Sequence, residues 1–154
     1  MTQYRFGPPT NGSKTESLPR NQGQWKNAEK REPRVLIVED ELLVAENLKE
    51  ILQSKGYKVI EVLTSAEKAV EKFTILDPDL LIMDVRLEGS LDGIQAAILI
   101  HETLKKVPIV FLTAYPKEDF PHLLNMDSDL YAYLSKPHDL NEFLAILERL
   151  LANS

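Results

Sequence analysis

Hydrophobic residues along the chain alternate between short apolar runs and longer stretches with helical spacing. The short runs have the length and composition of β-strands and cover roughly 35–38, 57–63, 80–83, 109–112 and 130–134. The longer stretches carry apolar residues three and four positions apart, which predicts helices. These helices cover roughly 42–55, 64–75, 94–105, 117–125 and 140–151. Strand and helix therefore alternate five times.

This alternation predicts an α/β fold. Strands that are apolar on both faces and are separated by helices indicate a parallel sheet covered on both sides. Right-handed crossovers leave few arrangements, and we expect a flavodoxin-like five-stranded sheet in the order 2-1-3-4-5 with five flanking helices. Thr64 and Glu67 predict a capping box at the second helix, and Asp139 predicts the N-cap of the last helix. A ligand site is expected at the carboxyl ends of the first and third strands.

Charge divides the chain of 154 residues into two parts. The first 34 residues carry seven basic and three acidic side chains, whereas the other 120 carry 11 and 21, so the net charges are +4 and −10. The first part has no hydrophobic period and is rich in Gly, Pro, Asn and Gln, which predicts a disordered basic polar tail over 1–33. The predicted domain covers 34–152. An overall charge of −6 argues against general nucleic-acid binding.

Two further absences in the sequence exclude classes of protein. The chain has no cysteine, which excludes disulfide frameworks, cysteine nucleophiles and thiolate metal sites. It also has no apolar run of the roughly 20 residues that a membrane span needs, and no apolar signal segment. The expected location is therefore the cytoplasm.

Acidic residues follow two strands that the predicted order makes neighbours. Glu39 and Asp40 follow the first strand, and Asp84 follows the third. Two unit charges about 5 Å apart repel by roughly 3 kcal/mol at an effective dielectric constant near 20, so these carboxylates need a cation or shifted pKa values. Hard oxygen ligands suit Mg²⁺. Thr113 ends the fourth strand and Lys136 follows the fifth, and together with a metal they can neutralise a phosphoryl group. Asp84 is then a candidate nucleophile.

Each of these residues also has an ordinary structural explanation when taken alone. An acidic pair after a strand compensates the charge of a helix N-terminus, and a single aspartate at a strand end is often an N-cap. A threonine or a Lys-Pro pair after a strand is common. Their combination at the ends of the correct strands is what makes the pattern specific.

Four segments carry a resemblance to a known family: VLIVEDE at 35–41, LIMDVRL at 81–87, VFLTA at 110–114 and YLSKP at 133–137. Over 33–151 the chain resembles a response-regulator receiver domain of two-component signalling, of the stand-alone CheY-like class. The resemblance implies a phosphoacceptor and an Mg²⁺ site. In this sequence the implied residues are Asp84 as phosphoacceptor and metal ligand, Glu39, Asp40 and the backbone carbonyl of Arg86 as further metal ligands, Thr113 and Lys136 as phosphoryl-binding residues, Thr113 and Tyr133 as the switch pair, and Pro137 as the family's usual cis proline.

The loop after the predicted phosphoacceptor departs from the usual family pattern. Glu88 stands where the family commonly has proline, and the loop 87–93 is one residue longer than the common form. Its Asp-Gly-Ile ending at 92–94 resembles that of one receiver subgroup. Arg86 and Tyr115 occupy the family's two rate-tuning positions, and both side chains are bulky. Our hypothesis is that they hinder attacking water and lengthen the lifetime of the phosphoryl group.

The resemblance implies a signalling function and not a conventional enzyme. We expect a self-catalysed phosphoacceptor with slow autodephosphorylation, which receives its phosphoryl group from a sensor histidine kinase or a histidine phosphotransfer protein. The chain ends three residues after Leu151, which predicts a stand-alone receiver without an output domain. Its output is then a downstream protein partner or an onward phosphorelay, without direct DNA or membrane binding, and we also consider a phosphorylation-dependent homodimer.

Two alternatives stay open at this point. A pseudo-receiver would act only as a protein-interaction module, although the intact acidic, threonine and lysine positions argue against it. A haloacid-dehalogenase-like phosphatase also uses an aspartate at a strand end, but it needs a second aspartate two residues later, where this chain has Arg86. A flavodoxin is excluded because no phosphate-binding loop follows the first strand.

Overall fold

Five parallel strands form a single sheet, and helices connect them. The structure is a computed structural model that describes residues 31–136 and 139–154. The elements in chain order are β1 (Arg34–Val38), α1 (Leu42–Ser54), β2 (Lys58–Leu63), α2 (Ala66–Leu76), β3 (Leu80–Met83), α3 (Gly93–Thr103), β4 (Ile109–Thr113), two 3₁₀ helices (Lys117–Asp119 and Pro121–Asn125), β5 (Tyr131–Ser135) and α4 (Leu140–Asn153). Residues 32–154 form one compact unit.

The strand order is β2-β1-β3-β4-β5, and every neighbouring pair is parallel. The predicted flavodoxin-like order 2-1-3-4-5 is therefore confirmed. The chain winds outward in both directions from β1 and β3, which makes the gap between these two strands the topological switch point. Val38 pairs with Met83 across this gap, so the residues that follow the two strands emerge side by side.

The central strands owe their position to their apolar sequences. All residues of β3 and β4 are buried, and β1 is buried from Val35 onward. The edge strand β5 alternates between buried and more exposed residues, as expected for a strand with one neighbour. Three polar residues are nevertheless buried in the described part of the chain: Glu39, His101 and Thr113. Glu39 follows β1 at the switch point, and Thr113 ends β4, the strand next to β3.

The connection between β4 and β5 differs from the sequence prediction. A fifth helix was expected over 117–125, but this connection contains only the two 3₁₀ helices, and the described residues form four α-helices. Pro121 explains the difference. A proline in a helix interior removes one backbone donor, and its ring clashes with the carbonyl four residues earlier. The segment therefore breaks into two short turns on either side of Phe120.

The structure confirms the cap predicted for α4 and contradicts the one predicted for α2. Asp139 caps α4 by accepting hydrogen bonds from the backbone N–H groups of Asn141 and Glu142. At α2 the cap was placed one residue too early, because Ser65 is the N-cap and accepts from Lys68. The predicted capping box of Thr64 and Glu67 is therefore wrong.

Two parts of the sequence prediction lie outside the described residues. These are positions 1–30 of the predicted tail and Pro137, so the division into a tail over 1–33 and a domain over 34–152 stays a prediction. Over 31–136 and 139–154, none of the helices combines the length and the hydrophobicity that crossing a bilayer requires.

Candidate functional site

The backbone brings Glu39 and Asp84 together at the switch point. Glu39 directly follows β1, and its N–H donates to the carbonyl of Leu63 at 2.9 Å. Asp84 directly follows β3, and its N–H donates to the carbonyl of Val38 at 3.0 Å. Both strands thus extend their hydrogen-bonded ladder to the first residue of the site. The positions of these two acidic side chains are set by the central sheet and not by a flexible loop.

Three carboxylates meet here, as the sequence predicted. Oxygen atoms of Glu39, Asp40 and Asp84 all lie within 4.8 Å of one another. Such a group is electrostatically unfavourable unless positive charge compensates it. Carboxylate oxygens are also the ligands that Mg²⁺ prefers. The residues present therefore fit the metal that the sequence predicted for this position.

Lys136 supplies positive charge from the far edge of the sheet. Its Nζ donates to Glu39 Oε1 at 2.9 Å and lies 3.4 Å from Asp84 Oδ2. The Glu39 side chain is only 5% exposed, those of Asp84 and Lys136 are 12% and 21% exposed, and the ion pairs are therefore well shielded from water. The backbone N–H of Lys136 donates to the carbonyl of Thr113 at 2.8 Å, which fixes the lysine to the end of β4.

Burial and pairing act in opposite directions on the two charged partners. Burial raises the pKa of Glu39 above its usual value, although hydrogen bonds from Lys136 and the N–H of Glu41 partly oppose this effect. Burial alone would lower the pKa of Lys136, but its hydrogen bond to Glu39 and the charge of Asp84 outweigh burial and raise this pKa. Desolvation is thus the larger influence on the pKa of Glu39, which is the more deeply buried group. Pairing is the larger influence on the pKa of Lys136, whose ammonium group stays protonated.

The second oxygen of Asp84 and its backbone are also held in place. Oδ1 accepts a hydrogen bond from the N–H of Arg86 at 3.3 Å. Gly93 packs so closely that a Cβ atom there would overlap the carbonyl oxygen of Asp84. The N–H of Gly93 donates to the carbonyl of Val85 at 2.7 Å. The first residue of α3 is therefore a glycine because the backbone of Asp84 occupies the space of a side chain.

An open pocket of about 430 Å³ lies above these groups. Its lining residues are Asp40, Glu41, Asp84, Arg86, Glu88, Ala114, Tyr115 and Lys136. Five of them were predicted from the sequence as site residues. Glu39 and Thr113 are buried at strand ends and do not belong to this lining. The structure thus combines an accessible aspartate with a buried acidic and hydroxyl layer.

Thr113 and Tyr133 are linked through the backbone of Tyr115. Thr113 is fully buried, and its Oγ1 lies 3.4 Å from the N–H of Tyr115, from which it accepts. The hydroxyl of Tyr133 donates to the carbonyl of Tyr115 at 2.8 Å. Burial, followed by the charges of Asp119 and Asp84, raises the pKa of Tyr133 to about 12, so this hydroxyl keeps its proton. The predicted switch residues therefore contact the two backbone groups of one residue, Tyr115, at the pocket edge.

Arg86 and Tyr115 contact each other at the mouth of the pocket. The guanidinium carbon of Arg86 lies 4.7 Å from the centre of the Tyr115 ring and 5.3 Å from that of Phe120. Phe120 in turn packs against Tyr133, with ring centres 6.5 Å apart. A cation over an aromatic face is a favourable contact. The two positions expected to tune the phosphoryl lifetime thus form one cover that reaches the 3₁₀ segment.

Sequence reasoning missed four residues around the site. Glu41, Glu88 and Ala114 line the pocket, although none of them was predicted to do so. Glu67 was interpreted as half of a capping box, but its carboxylate accepts from the backbone of Ser90 and Leu91 in the loop after β3. The extra residue in that loop was the only signal that it needed a further anchor.

The fold and the site together define a class of protein. It is a flavodoxin-like α/β domain with three carboxylates and a lysine at the topological switch point. Residues 35–148 match the response regulator receiver domain family, and the chain belongs to this family. It is a CheY-like receiver domain of two-component response regulators, as the sequence predicted. Receiver domains are typically signalling domains without catalytic turnover.

Two curated proteins illustrate the relationship. The chain is 37% identical over 115 residues to the transcriptional regulatory protein PdtaR of Mycobacterium tuberculosis (strain ATCC 25618 / H37Rv). The matched region covers 75% of this chain and 55% of that protein. It is 35% identical over 88 residues to the chemotaxis protein CheY of Treponema pallidum (strain Nichols). This matched region covers 56% of this chain and 60% of that protein. The chain spans about half the length of the curated relatives it matches. The predicted stand-alone organisation stays a prediction.

Solved structures agree with the fold. The response regulator TrrA from Thermotoga maritima, in complex with Mg(2+)-BeF, is similar with a TM-score of 0.67 and 31% identity, over 77% of this chain and 98% of that one. The non-phosphorylated HemR receiver domain from Leptospira biflexa is similar with a TM-score of 0.64 and 32% identity, over 78% of this chain and 94% of that one.

Proposed function

We propose that this domain accepts a phosphoryl group on Asp84 and that Mg²⁺ assists the transfer. One observation carries the proposal. The Asp84 carboxylate lines an open pocket, lies 3.4 Å from an ammonium group and shares a cluster with two further carboxylates. A carboxylate in such surroundings is both accessible to a donor and close to the charges that a phosphoryl group requires.

The metal would be held by Glu39, Asp40, Asp84 and the backbone carbonyl of Arg86. When bound, Mg²⁺ supplies positive charge to the phosphoryl oxygens and to the carboxylates around it. The similar receiver TrrA, which was solved as a complex with Mg(2+)-BeF, supports the choice of metal. The oxygen chemistry of the three acidic side chains supports it independently.

The transfer itself needs little from the protein except position and charge. A carboxylate oxygen of Asp84 forms a bond to phosphorus, and the bond from phosphorus to the donor breaks, leaving its electron pair on the donor atom. For a phosphohistidine donor this atom is a ring nitrogen, and for acetyl phosphate it is an acetate oxygen. Lys136 stays protonated throughout and neutralises one phosphoryl oxygen, while the hydroxyl of Thr113 donates to another.

The signal would leave the site through Thr113 and Tyr133. If Thr113 turns towards the phosphoryl group, it gives up its contact with the N–H of Tyr115. Tyr133 holds the carbonyl of the same residue and would respond to its movement. A change of this kind shifts a two-state equilibrium at the surface formed by β5 and its neighbours. Slow loss of the phosphoryl group to water, by autodephosphorylation, would return the domain to its starting state.

The proposed partners follow from this chemistry. A sensor histidine kinase or a histidine phosphotransfer protein would supply the phosphoryl group. A downstream protein, an onward phosphorelay or a second copy of the chain would read the result. The absence of direct DNA binding and the cytoplasmic location expected from the sequence are part of the same proposal.

Acetyl phosphate and MgCl₂ test the proposal without a cognate kinase. We expect the intact mass of the wild-type chain to increase by one phosphoryl group, and Asp84→Asn to show no increase. Asp129→Asn is the matched control, because Asp129 is an exposed aspartate away from the pocket lining, and it should behave as the wild type does. A wild-type protein that gains no mass would indicate a pseudo-receiver. Continuous hydrolysis of p-nitrophenyl phosphate would instead indicate a phosphatase. Either result would overturn the proposal.

A further inference from the structure

Glu67 binds the loop that follows the phosphorylation site. It lies in the first turn of α2, 23 residues before the loop residue that it contacts. Its Oε2 accepts from the N–H of Ser90 at 2.7 Å, from the N–H of Leu91 at 2.8 Å and from the hydroxyl of Ser90 at 3.1 Å. Hydrogen bonds to an ionised carboxylate are the stronger kind. One side chain therefore satisfies three donors of a loop in another part of the sequence.

The loop backbone is shaped around this carboxylate. Gly89 has a φ angle of +114°, which favours glycine. A Cβ atom at this position would lie 2.5 Å from Glu67 Oε1. The hydrogen bond from Leu91 is the main cause that lowers the pKa of Glu67, so the group is ionised at neutral pH. The turn thus presents consecutive backbone donors to one anion, as a backbone nest does.

The same loop carries residues of the pocket. Arg86 and Glu88 line the pocket on the side of the loop that follows Asp84. Residues 88–90 are exposed, so burial of apolar surface contributes little to their order. At its far end the loop is fixed by the capping box between Asp92 and Gln95. Glu67 provides the anchor between these two ends.

We propose that Glu67 is a positioning residue for the phosphorylation site, because its carboxylate holds the loop 86–91 and thereby fixes the backbone of Arg86 beside Asp84. The inference rests on the proposed function, in which the carbonyl of Arg86 is a metal ligand. Glu67 itself touches neither the phosphoryl group nor the metal. Its loss should therefore weaken metal binding and leave transfer at saturating metal close to that of the wild type.

The experiment measures Mg²⁺ binding through one backbone amide. MgCl₂ is titrated into the ¹⁵N-labelled full chain, and the amide shift of Arg86 gives the midpoint. Groups bonded directly to metal ligands change metal affinity by about 10–100-fold when removed. Glu67 acts one step further away, so we expect Glu67→Gln to raise the midpoint by about 3–10-fold. Glu71→Gln is the matched control, since it removes the same charge from an exposed position on the same helix.

A second variant disturbs the contact between Glu67 and the loop without removing the charge of Glu67. Gly89→Ala keeps the Glu67 carboxylate but places a methyl group against it, and we expect the same direction of change. Phosphorylation by acetyl phosphate should slow in both variants at low MgCl₂ and recover at saturating MgCl₂. A general loss of folding would not produce this pattern.

Two outcomes overturn the inference. One is a Mg²⁺ midpoint for Glu67→Gln that equals that of Glu71→Gln, and the other is a rate that stays low at saturating MgCl₂. A wild-type chain that binds Mg²⁺ but gains no phosphoryl group would refute the proposed function instead. In that case the midpoints of the variants still decide the role of Glu67.

Discussion

Replacing Lys136 by methionine should destabilise the domain, because the buried Glu39 carboxylate loses its partner. At 2.9 Å and an effective dielectric constant near 20, the direct attraction between the two charges is about 6 kcal/mol. Much of it is offset by the cost of burying the ammonium group, and breaking a buried ion pair costs about 3–5 kcal/mol. Since the Lys136 side chain keeps 21% exposure, we expect a loss of about 2–3 kcal/mol in the free energy of unfolding.

Urea unfolding followed by far-UV circular dichroism measures this loss. With a denaturant slope of about 1–3 kcal/mol/M, the midpoint should fall by roughly 0.7–3 M. Lys72→Met is the matched control. Lys72 pairs with Glu61 at 3.0 Å, almost the same distance, but the two side chains are 48% and 36% exposed. Its loss should cost about 0–1 kcal/mol, because water screens an exposed pair.

MgCl₂ and pH give two further signatures of the same variant. A divalent cation among the carboxylates replaces part of the lost charge, so MgCl₂ should stabilise Lys136→Met more than the wild type. Without the ammonium group the pKa of Glu39 in the folded state rises further above its value in the unfolded state. At pH values between these two pKa values, the folded state holds more protons than the unfolded state. Stability then falls as pH rises, and the deficit should be larger at pH 7.5 than near pH 5. A deficit equal to that of Lys72→Met, or one that shrinks as pH rises, would refute this reasoning.

Three other predictions test the surroundings of the site. Gly93→Ala should slow phosphorylation by acetyl phosphate and cost about 1–3 kcal/mol in urea unfolding, because the new methyl group displaces the carbonyl of Asp84. The double variant Arg86→Ala/Tyr115→Ala should shorten the lifetime of the phosphorylated protein, measured by intact mass after donor removal, because water gains access past their stacked side chains. Burial lowers the pKa of His101, so wild-type stability should fall as pH drops below 6.5, by at most about 1.4 kcal/mol per pH unit.

Each of these three predictions has its own control or contradiction. Gly56→Ala introduces a methyl group at a φ of +91° with no atom within 4 Å, so it should lose stability through backbone strain alone and phosphorylate normally. An unchanged or slower decay in the double variant would contradict the shielding role of Arg86 and Tyr115. For the histidine, His101→Gln removes the titrating group, and a pH dependence equal to that of the wild type would show that another residue causes it.

Much of the fold could be predicted from local patterns. Apart from Arg34 at the start of β1 and Thr113 at the end of β4, strands β1, β3 and β4 are apolar, which is the signature of a parallel sheet covered on both faces. The helix predicted over 117–125 is wrong, because the hydrophobic pattern of this segment suggested a helix that Pro121 prevents. Here a steric property of one residue outweighed the periodicity of its neighbours.

The site could be predicted for the same reason as the sheet. Glu39 and Asp84 follow neighbouring strands, and parallel strands bring their carboxyl ends to one edge. The partner of Glu67 could not be found in this way. An acidic residue in the first turn of a helix satisfies a local rule for capping, and nothing nearby in the sequence shows that a distant loop offers better donors.

The order of strands and helices and the chemical groups at the strand ends follow from residues that are close together in the chain. Which of these groups meet depends on how the whole chain packs. Lys136 and Glu39 are 97 residues apart, and their contact exists only because β5, β4, β3 and β1 pack in that order. Likewise, Glu67 reaches Ser90 only because α2 lies beside the loop. Hydrophobic periodicity acts over a few residues, whereas an ion pair or a loop anchor requires a distance that only the packed chain sets.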